Sequence, residues 1–481
     1  MSNKEIKKIK WCFLVTYNPF MEFLGKIAHQ VVKGGDECVL IFNDKISEYS
    51  QKQYFPEGVK SFSMVDWCME NHKKEQDDFG NLSWRDFFAD FNRLRLFNMG
   101  FKEAAELMSQ KYQFFDFFLS REKPDVVIYE PPSGTSSEIM YKVCQKYGIL
   151  YLGLLYAKIA GKIDIRDLKY ANSKLEKTFR ELNAVSEEES NFAKSFIKDF
   201  LSHNKVPPYV KPEKIHRKEI DVWSTYIKKS MKKLPFWLKY LSQRRRFKSF
   251  DKDSEAHLRM RVSYPFRALL LRFKKLFQKN IYGSLGEKDK FFFFPLQSQP
   301  EASTLVLATY FYDLINTVKN VAFALPFPYK LYVKEHPQVK GDRPKDFYEK
   351  IKQIPNVVLI SPFENVGNLI ERSQGVVTLT STIGMEAALT GKPVYILGDV
   401  FYSYHPMCQK LSGFDELEKR VRGDLQKKPT LPNLEEVNIR FILSYFRNII
   451  NGDIGLVLNS GKTDINDYAK IYQDIKKLFL Q

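Results

Sequence analysis

The sequence predicts an α/β protein with two Rossmann-like domains facing a cleft and a basic helical insertion. Three observations carry that expectation. At 481 residues the chain exceeds what one ordinary core supports, and its 44% hydrophobic fraction is ample for globular folding. Strand and helix signals alternate over residues 10–155 and again over 291–397, the pattern of parallel sheets flanked by helices. In the second stretch, apolar strands run directly into hydroxyl- or cation-bearing residues and then a helix. A doubly wound sheet presents anion-binding groups at the carboxyl ends of its strands in this way.

Element by element, Lys10–Thr16 and Glu37–Asn43 read as buried strands joined by a helix over Phe20–Lys33 that stops at Gly34-Gly35. A long helical region, Trp84 to Arg121, precedes a third strand at Asp125–Tyr129. The run Glu130-Pro131-Pro132-Ser133-Gly134 then turns into a helix ending at Tyr147, and Ile149–Leu155 is the next strand. Between Ala157 and Glu287 charges dominate and prolines punctuate amphipathic helices. The second α/β half opens with the strand Phe291–Leu296 and a helix over Ser303–Lys319. Strands at Lys330–Lys334, Val357–Ile360, Gly375–Leu379 and Val394–Leu397 alternate with helices at Lys345–Gln353, Asn365–Arg372 and Ile383–Thr390. Helices around Glu435–Ile450 and Ile465–Leu480 close the chain. The expected domains are therefore 1–156, the basic insertion 157–287, 288–430, and C-terminal helices 431–481 packing back across them.

The net charge is +18, and it is concentrated. Residues 201–280 hold 22 Lys+Arg against 6 Asp+Glu, so 22 − 6 = +16 lies in this block. Aromatics are interleaved with the cations over 223–280, and Arg267–Lys279 reads as an amphipathic basic helix. An anionic membrane surface is the expected partner of segment 223–280, with a solvated helical face that packs its aromatics into the core as the plain alternative; nucleic acid is not expected, because no nucleic-acid module is recognisable. No stretch reaches the roughly 18 apolar residues of a membrane span. The apolar run Trp11–Val15 is too short for a signal-peptide core. Five cysteines with no CxxC pair argue for a reducing compartment and against a disulfide framework or zinc site. Asp251-Lys252-Asp253 reads as a solvated charge cluster, so no metal and no cofactor is expected.

Three strand ends carry the candidate chemistry. Tyr332-Val333-Lys334-Glu335-His336-Pro337 places an ammonium and an imidazole at a strand end, suited to a phosphate, although a surface histidine is the plain alternative. Thr380, Ser381 and Thr382 put three hydroxyls where a strand meets a helix, fitting either an anion cradle or ordinary capping. Glu386 follows one turn into that helix, as a ribose ligand or a solvated carboxylate. Gln297 and Glu301 lie after the strand Phe291–Leu296. Glu301 is suited to act as nucleophile, base or stabiliser of a sugar cation, or simply as a first-turn acid. In the first half, Glu130 and Ser133 are the corresponding candidates, with a plain turn as the alternative.

The order Gln-x-x-x-acid-Ala-Ser, Lys-x-His-Pro and Thr-Ser-x-x-Gly-x-Glu-Ala-x-x-x-Gly-Lys-Pro-Val-x-x-x-Gly-x-x-Phe-Tyr resembles the capsule polysaccharide biosynthesis family over Phe291 to Pro406. That family includes bacterial Kdo transferases. The resemblance implies a GT-B-like glycosyltransferase, cytoplasmic and peripheral on the membrane. It would move an acidic, Kdo-like sugar from a CMP-activated donor to a lipid-linked or glycan acceptor without metal. On it, Lys334 and His336 contact the CMP phosphate, with Ser381 and Thr382 at the phosphate and nucleotide. Glu386 lies near the ribose or base, and Glu301 holds the catalytic carboxylate position. Outside the resemblance, Glu130 and Ser133 are the candidates for the acceptor side if the first half presents the acceptor. The chain has Pro300-Glu301-Ala302-Ser303 where the Kdo enzymes have Asp-Asp-Ala-Ser. It has Phe401-Tyr402-Ser403-Tyr404-His405-Pro406 where they have Phe-Tyr-Ala-Gly-Trp-Gly. Two alternatives stay open: a non-catalytic capsule assembly or export partner that binds glycan or lipid, and a transferase using a UDP-sugar or CDP-polyol donor.

Overall fold

The computed structural model describes residues 8–73, 79–93, 100–202, 233–259, 281–337, 339, 343–344, 346–427, 429–455 and 464–480. The chain divides into two compact units: residues 1–173, 205–262 and 446–481 form the first, and 174–204 with 263–445 the second. These units do not follow the sequence-derived boundaries one to one, because both termini of the insertion and the C-terminal segment are shared out between them.

Among its described residues the first unit has a seven-stranded sheet. Its strands are β1 (Lys10–Val15), β2 (Glu37–Phe42), β3 (Lys60–Ser63), β4 (Val126–Tyr129), β5 (Leu150–Tyr156), β6 (Lys162–Arg166) and β13 (Ile449–Asn451), in the order β13-β6-β5-β4-β1-β2-β3. The ladders from β3 to β5 are parallel, and β6 and β13 add antiparallel pairs. Trp11 to Val15 are fully buried, as a central parallel strand covered on both faces requires. The C-terminal helix Tyr468–Ile475 buries Ile471, Tyr472 and Ile475 in the same core. Asp36 fastens it there, accepting from Trp11 Nε1 at 3.0 Å, Tyr472 Oη at 2.7 Å and Lys476 Nζ at 2.9 Å.

Several local expectations change. The helical region after Trp84 is two helices, Trp84–Arg93 and Phe101–Glu122. The helix beginning at Leu434 stops at Arg447, and the chain then becomes β13. Asp251 is not part of a solvated cluster. It is 1% exposed, accepting from Lys45 N at 3.0 Å and Ser254 N at 3.0 Å, and so joins two helix starts. Asp253 is half-buried and pairs with the buried Lys111. Of the basic segment 223–280 the structure describes 233–259, which includes the helix Leu234–Phe247; Arg267–Lys279 lies outside the described residues.

The second unit carries a six-stranded, all-parallel sheet among its described residues. Its strands are β7 (Phe291–Pro295), β8 (Lys330–Lys334), β9 (Val357–Ile360), β10 (Val376–Thr378), β11 (Val394–Ile396) and β12 (Cys408–Lys410). The order β12-β11-β10-β7-β8-β9 is that of a doubly wound sheet, whose direction of winding reverses between β7 and β10. The expected helix over Ser303–Lys319 is broken into Ala302–Leu305, a 3-10 turn at Thr309–Phe311 and Leu314–Phe323. Asp313 explains the break. Its carboxylate accepts from Ile315 N and Asn316 N, both at 3.1 Å, and starts a fresh helix there.

Candidate active site

The carboxyl ends of β7, β8 and β10 lie at this reversal, where ligands bind in open α/β sheets. The register pairs Pro295 with Lys334, so the residues that follow each strand emerge side by side. Gln297 is buried, and its Nε2 has no acceptor among the described residues. Its Oε1 lies 3.5 Å from the Thr380 hydroxyl, which also donates to Ser303 O at 3.2 Å. Gln297, Ser303 and Thr380 therefore knit the ends of β7 and β10 together. Glu301 is exposed, and Ser303 Oγ lies 3.5 Å from its carboxylate.

Lys334 is 5% exposed and donates to Pro362 O at 2.7 Å. Burial pulls its ammonium down to about 8, against the charges of Glu335, Glu364 and Glu386. Glu386 is 8% exposed, and burial pushes its carboxyl up to about 7 while Lys334 opposes. The solvated carboxylate is thus ruled out, because Glu386 sits on a helix whose residues from Gly384 to Leu389 are all buried. His336 is half-buried, and burial holds its imidazole below the ordinary 6.5, with Glu301 and Glu335 raising it and Arg343 and Lys334 lowering it. Lysine, histidine and two carboxylates from three strand ends therefore act on one another within one site.

The hydroxyl run is held by backbone geometry. Ser381 N donates to Thr378 Oγ1 at 3.1 Å, and Ser381 Oγ accepts from Ile383 N at 3.3 Å. Tyr402 Oη donates to Ser381 O at 2.5 Å. Thr382 is the residue before the helix Ile383–Leu389, and its side chain makes no capping bond. Two glycines make this packing possible. A Cβ on Gly384 would stand 2.4 Å from Tyr402 Oη, and one on Gly398 would stand 2.7 Å from both Leu379 O and Thr380 Cγ2.

Three residues here were not singled out from sequence: Glu335, Arg343 and Tyr348. Arg343 is 6% exposed and donates Nε and Nη2 to Glu335 at 3.1 and 2.8 Å, and Nη2 also to Gln297 O at 2.8 Å. Glu335 accepts further from His336 N at 2.6 Å and Tyr348 Oη at 2.8 Å. The available signal was Glu335 itself, a carboxylate directly continuing an apolar strand. Tyr402, within the quoted Phe-Tyr pair, likewise acts through Ser381.

Glu130 and Ser133 belong to the first unit, after β4. Ser133 Oγ donates to Glu130 Oε1 at 2.5 Å, Asn18 Nδ2 to Oε2 at 3.3 Å, and Tyr151 Oη to Glu130 O at 2.7 Å. They form a connected turn at the end of that unit's own parallel strands.

Comparison with known proteins adds three findings. The capsule polysaccharide biosynthesis protein family matches residues 189–425, extending beyond the motif-bearing stretch on both sides. No curated protein matches the sequence. Solved structures with a similar course include Thermosulfurimonas dismutans KpsC, beta Kdo 2,4 transferase, at 13% identity and a TM-score of 0.38, covering 73% of this chain and 88% of that one. The beta Kdo 2,7 transferase of the same KpsC aligns at 12% identity and 0.36, over 76% and 89%. UDP-GlcNAc 2-epimerase from Neisseria meningitidis bound to UDP-GlcNAc aligns at 13% and 0.25, over 90% and 98%.

Proposed function

Residues 189–425 belong to the capsule polysaccharide biosynthesis family, and from that premise we propose that the chain is a glycosyltransferase moving an acidic, Kdo-like sugar from a CMP-activated donor to a lipid-linked or glycan acceptor. The observation that carries the reading is that Lys334 and His336 lie at the carboxyl end of β8 and Thr380 and Ser381 at that of β10, the two strands flanking β7 at the reversal of a doubly wound sheet. In the reaction, the bond between the anomeric carbon and the phosphate oxygen breaks and CMP leaves with its charge. Lys334 offsets that charge, His336 donates to a phosphate oxygen, and Ser381 and Thr382 supply hydroxyl donors. Glu301, whose charge acts on His336, is the carboxylate at the anomeric carbon, as nucleophile or base. Glu386 serves as the buried counter-charge to Lys334. Glu130 and Ser133 remain the proposed acceptor-side groups.

The chain acts peripherally on an anionic membrane surface in this reading. Among the described residues no helix is long and apolar enough to cross a membrane. The helix Leu234–Phe247 exposes Leu234, Leu238 and Leu241 along one stripe, beside the exposed Lys239, Arg245, Arg246 and Lys248.

The test is to incubate the protein with CMP-Kdo, without acceptor, and follow CMP release. Release is expected, and it is expected to vanish in both His336→Ala and Glu301→Ala, while CMP binding is lost only in the former. Absence of both CMP binding and release supports the non-catalytic reading. Release of UDP from a UDP-sugar, with CMP-Kdo inert, supports the alternative donor.

A further inference from the structure

Arg343 and Glu335 belong to no group whose chemistry the transfer reaction uses, yet they are among the most buried charges in the second unit. Both Glu335 oxygens are engaged: Oε1 by Arg343 Nη2 and the His336 backbone N–H, Oε2 by Arg343 Nε and Tyr348 Oη. The same guanidinium nitrogen reaches back to the carbonyl oxygen of Gln297. Arg343 also lies over the Phe347 ring, 4.7 Å from its centroid. One planar fork therefore ties the second residue after β7 to Glu335, and through Glu335 to the His336 backbone after β8. Lysine, a point charge without that fork, does not satisfy this geometry.

We propose that Glu335 and Arg343 are positioning residues, a buried clasp that holds the His336 peptide and the Gln297 carbonyl in place at the strand ends. The clasp has two separable effects. Geometrically, Glu335 holds the His336 peptide and Arg343 holds the Gln297 carbonyl, so the two site residues move together. Electrostatically, the two charges act on His336 with opposite sign, Glu335 favouring the imidazolium and Arg343 opposing it. The other charged groups acting on the imidazole are Glu301 and Lys334. Burial is the largest influence and lowers the imidazole; the two clasp charges act beside it with opposite sign.

The experiment is a titration of the His336 imidazole by NMR in the full-length protein, assigned by its loss in His336→Gln, with Glu335→Gln and Arg343→Met compared to the parent. The clasp predicts shifts of opposite sign: down in Glu335→Gln and up in Arg343→Met. Either substitution also loosens a buried pair. Loosening alone exposes the imidazole and moves it up toward 6.5 in both variants, so shifts of the same sign, or no shift, overturn the proposal. Arg343→Lys keeps the charge and loses the fork. It is expected to leave the titration near the parent's but to weaken CMP binding at least about tenfold; unchanged CMP affinity in this variant overturns the geometric half. The proposal rests on the nucleotide reading only for that last readout. If CMP binds no variant and not the parent, the site assignment fails, while the opposite-sign titration still decides the clasp.

Discussion

At the scale of single residues, the account depends on a lysine that gives up its proton easily. Lys334 has been pulled down to about 8 by burial, so a bound phosphate gains most from it below that pH. The sign follows directly. The ligand favours the charged ammonium, so affinity is highest on the acid side of about 8 and declines as pH rises through it. Titrating CMP from pH 6.5 to 9.5 is expected to show this decline. Lys334→Met is expected to remove it and to lose about 1.5–3 kcal/mol of binding at pH 7. Glu386→Gln is expected to move the decline to lower pH, because the Glu386 charge is among those that hold the Lys334 proton on. A pH-independent affinity that Lys334→Met leaves intact contradicts the role. The sequence named both residues but not their relation. A helix buried all round, as from Gly384 to Leu389, leaves no periodic signature by which a buried carboxylate differs from a surface one.

At the scale of elements, what was legible was apolar continuity. Trp11 to Val15 and Phe291 to Phe294 are unbroken apolar runs, as strands covered on both faces must be, and both became central strands. What escaped lacks that signal. β3 reads Lys-Ser-Phe-Ser and β12 reads Cys-Gln-Lys; both are edge strands, made by pairing with a neighbour rather than by their own composition. β13 was hidden because Ile449 and Ile450 continue the apolar pattern of the preceding helix. The clasp of Arg343 on Glu335 and Gln297 was invisible for another reason: it joins residues 8 and 46 positions apart, which only the paired strands bring together. The helix Leu234–Phe247 allows an element-level test. Its buried face carries Trp237, Tyr240 and Phe247, which leaves Leu234, Leu238 and Leu241 outward. Replacing the three leucines by serine is expected to reduce binding to phosphatidylglycerol-containing vesicles at least about tenfold, with Arg245→Glu/Arg246→Glu steepening the loss, since each nearby cation contributes about 1 kcal/mol. Vesicle co-sedimentation checks it. Undiminished binding by the leucine variant removes this helix from the membrane reading.

At the scale of the whole molecule, each unit has its own doubly wound sheet and core, and the motifs that resemble the capsule family all lie in the second. The architecture of two Rossmann-like halves was legible from alternation alone. The last segment packs on the first unit through Asp36, Trp11 and Tyr472, contacts more than four hundred residues apart. In the proposed reading, the groups that meet the nucleotide come from the strand ends of the second unit.

A structure of the protein with CMP bound tests this most directly. The account predicts the phosphate at the carboxyl ends of β7, β8 and β10, within hydrogen-bonding distance of His336 and of the Thr380 or Ser381 hydroxyl. CMP held elsewhere on the protein, with these side chains untouched, would contradict it.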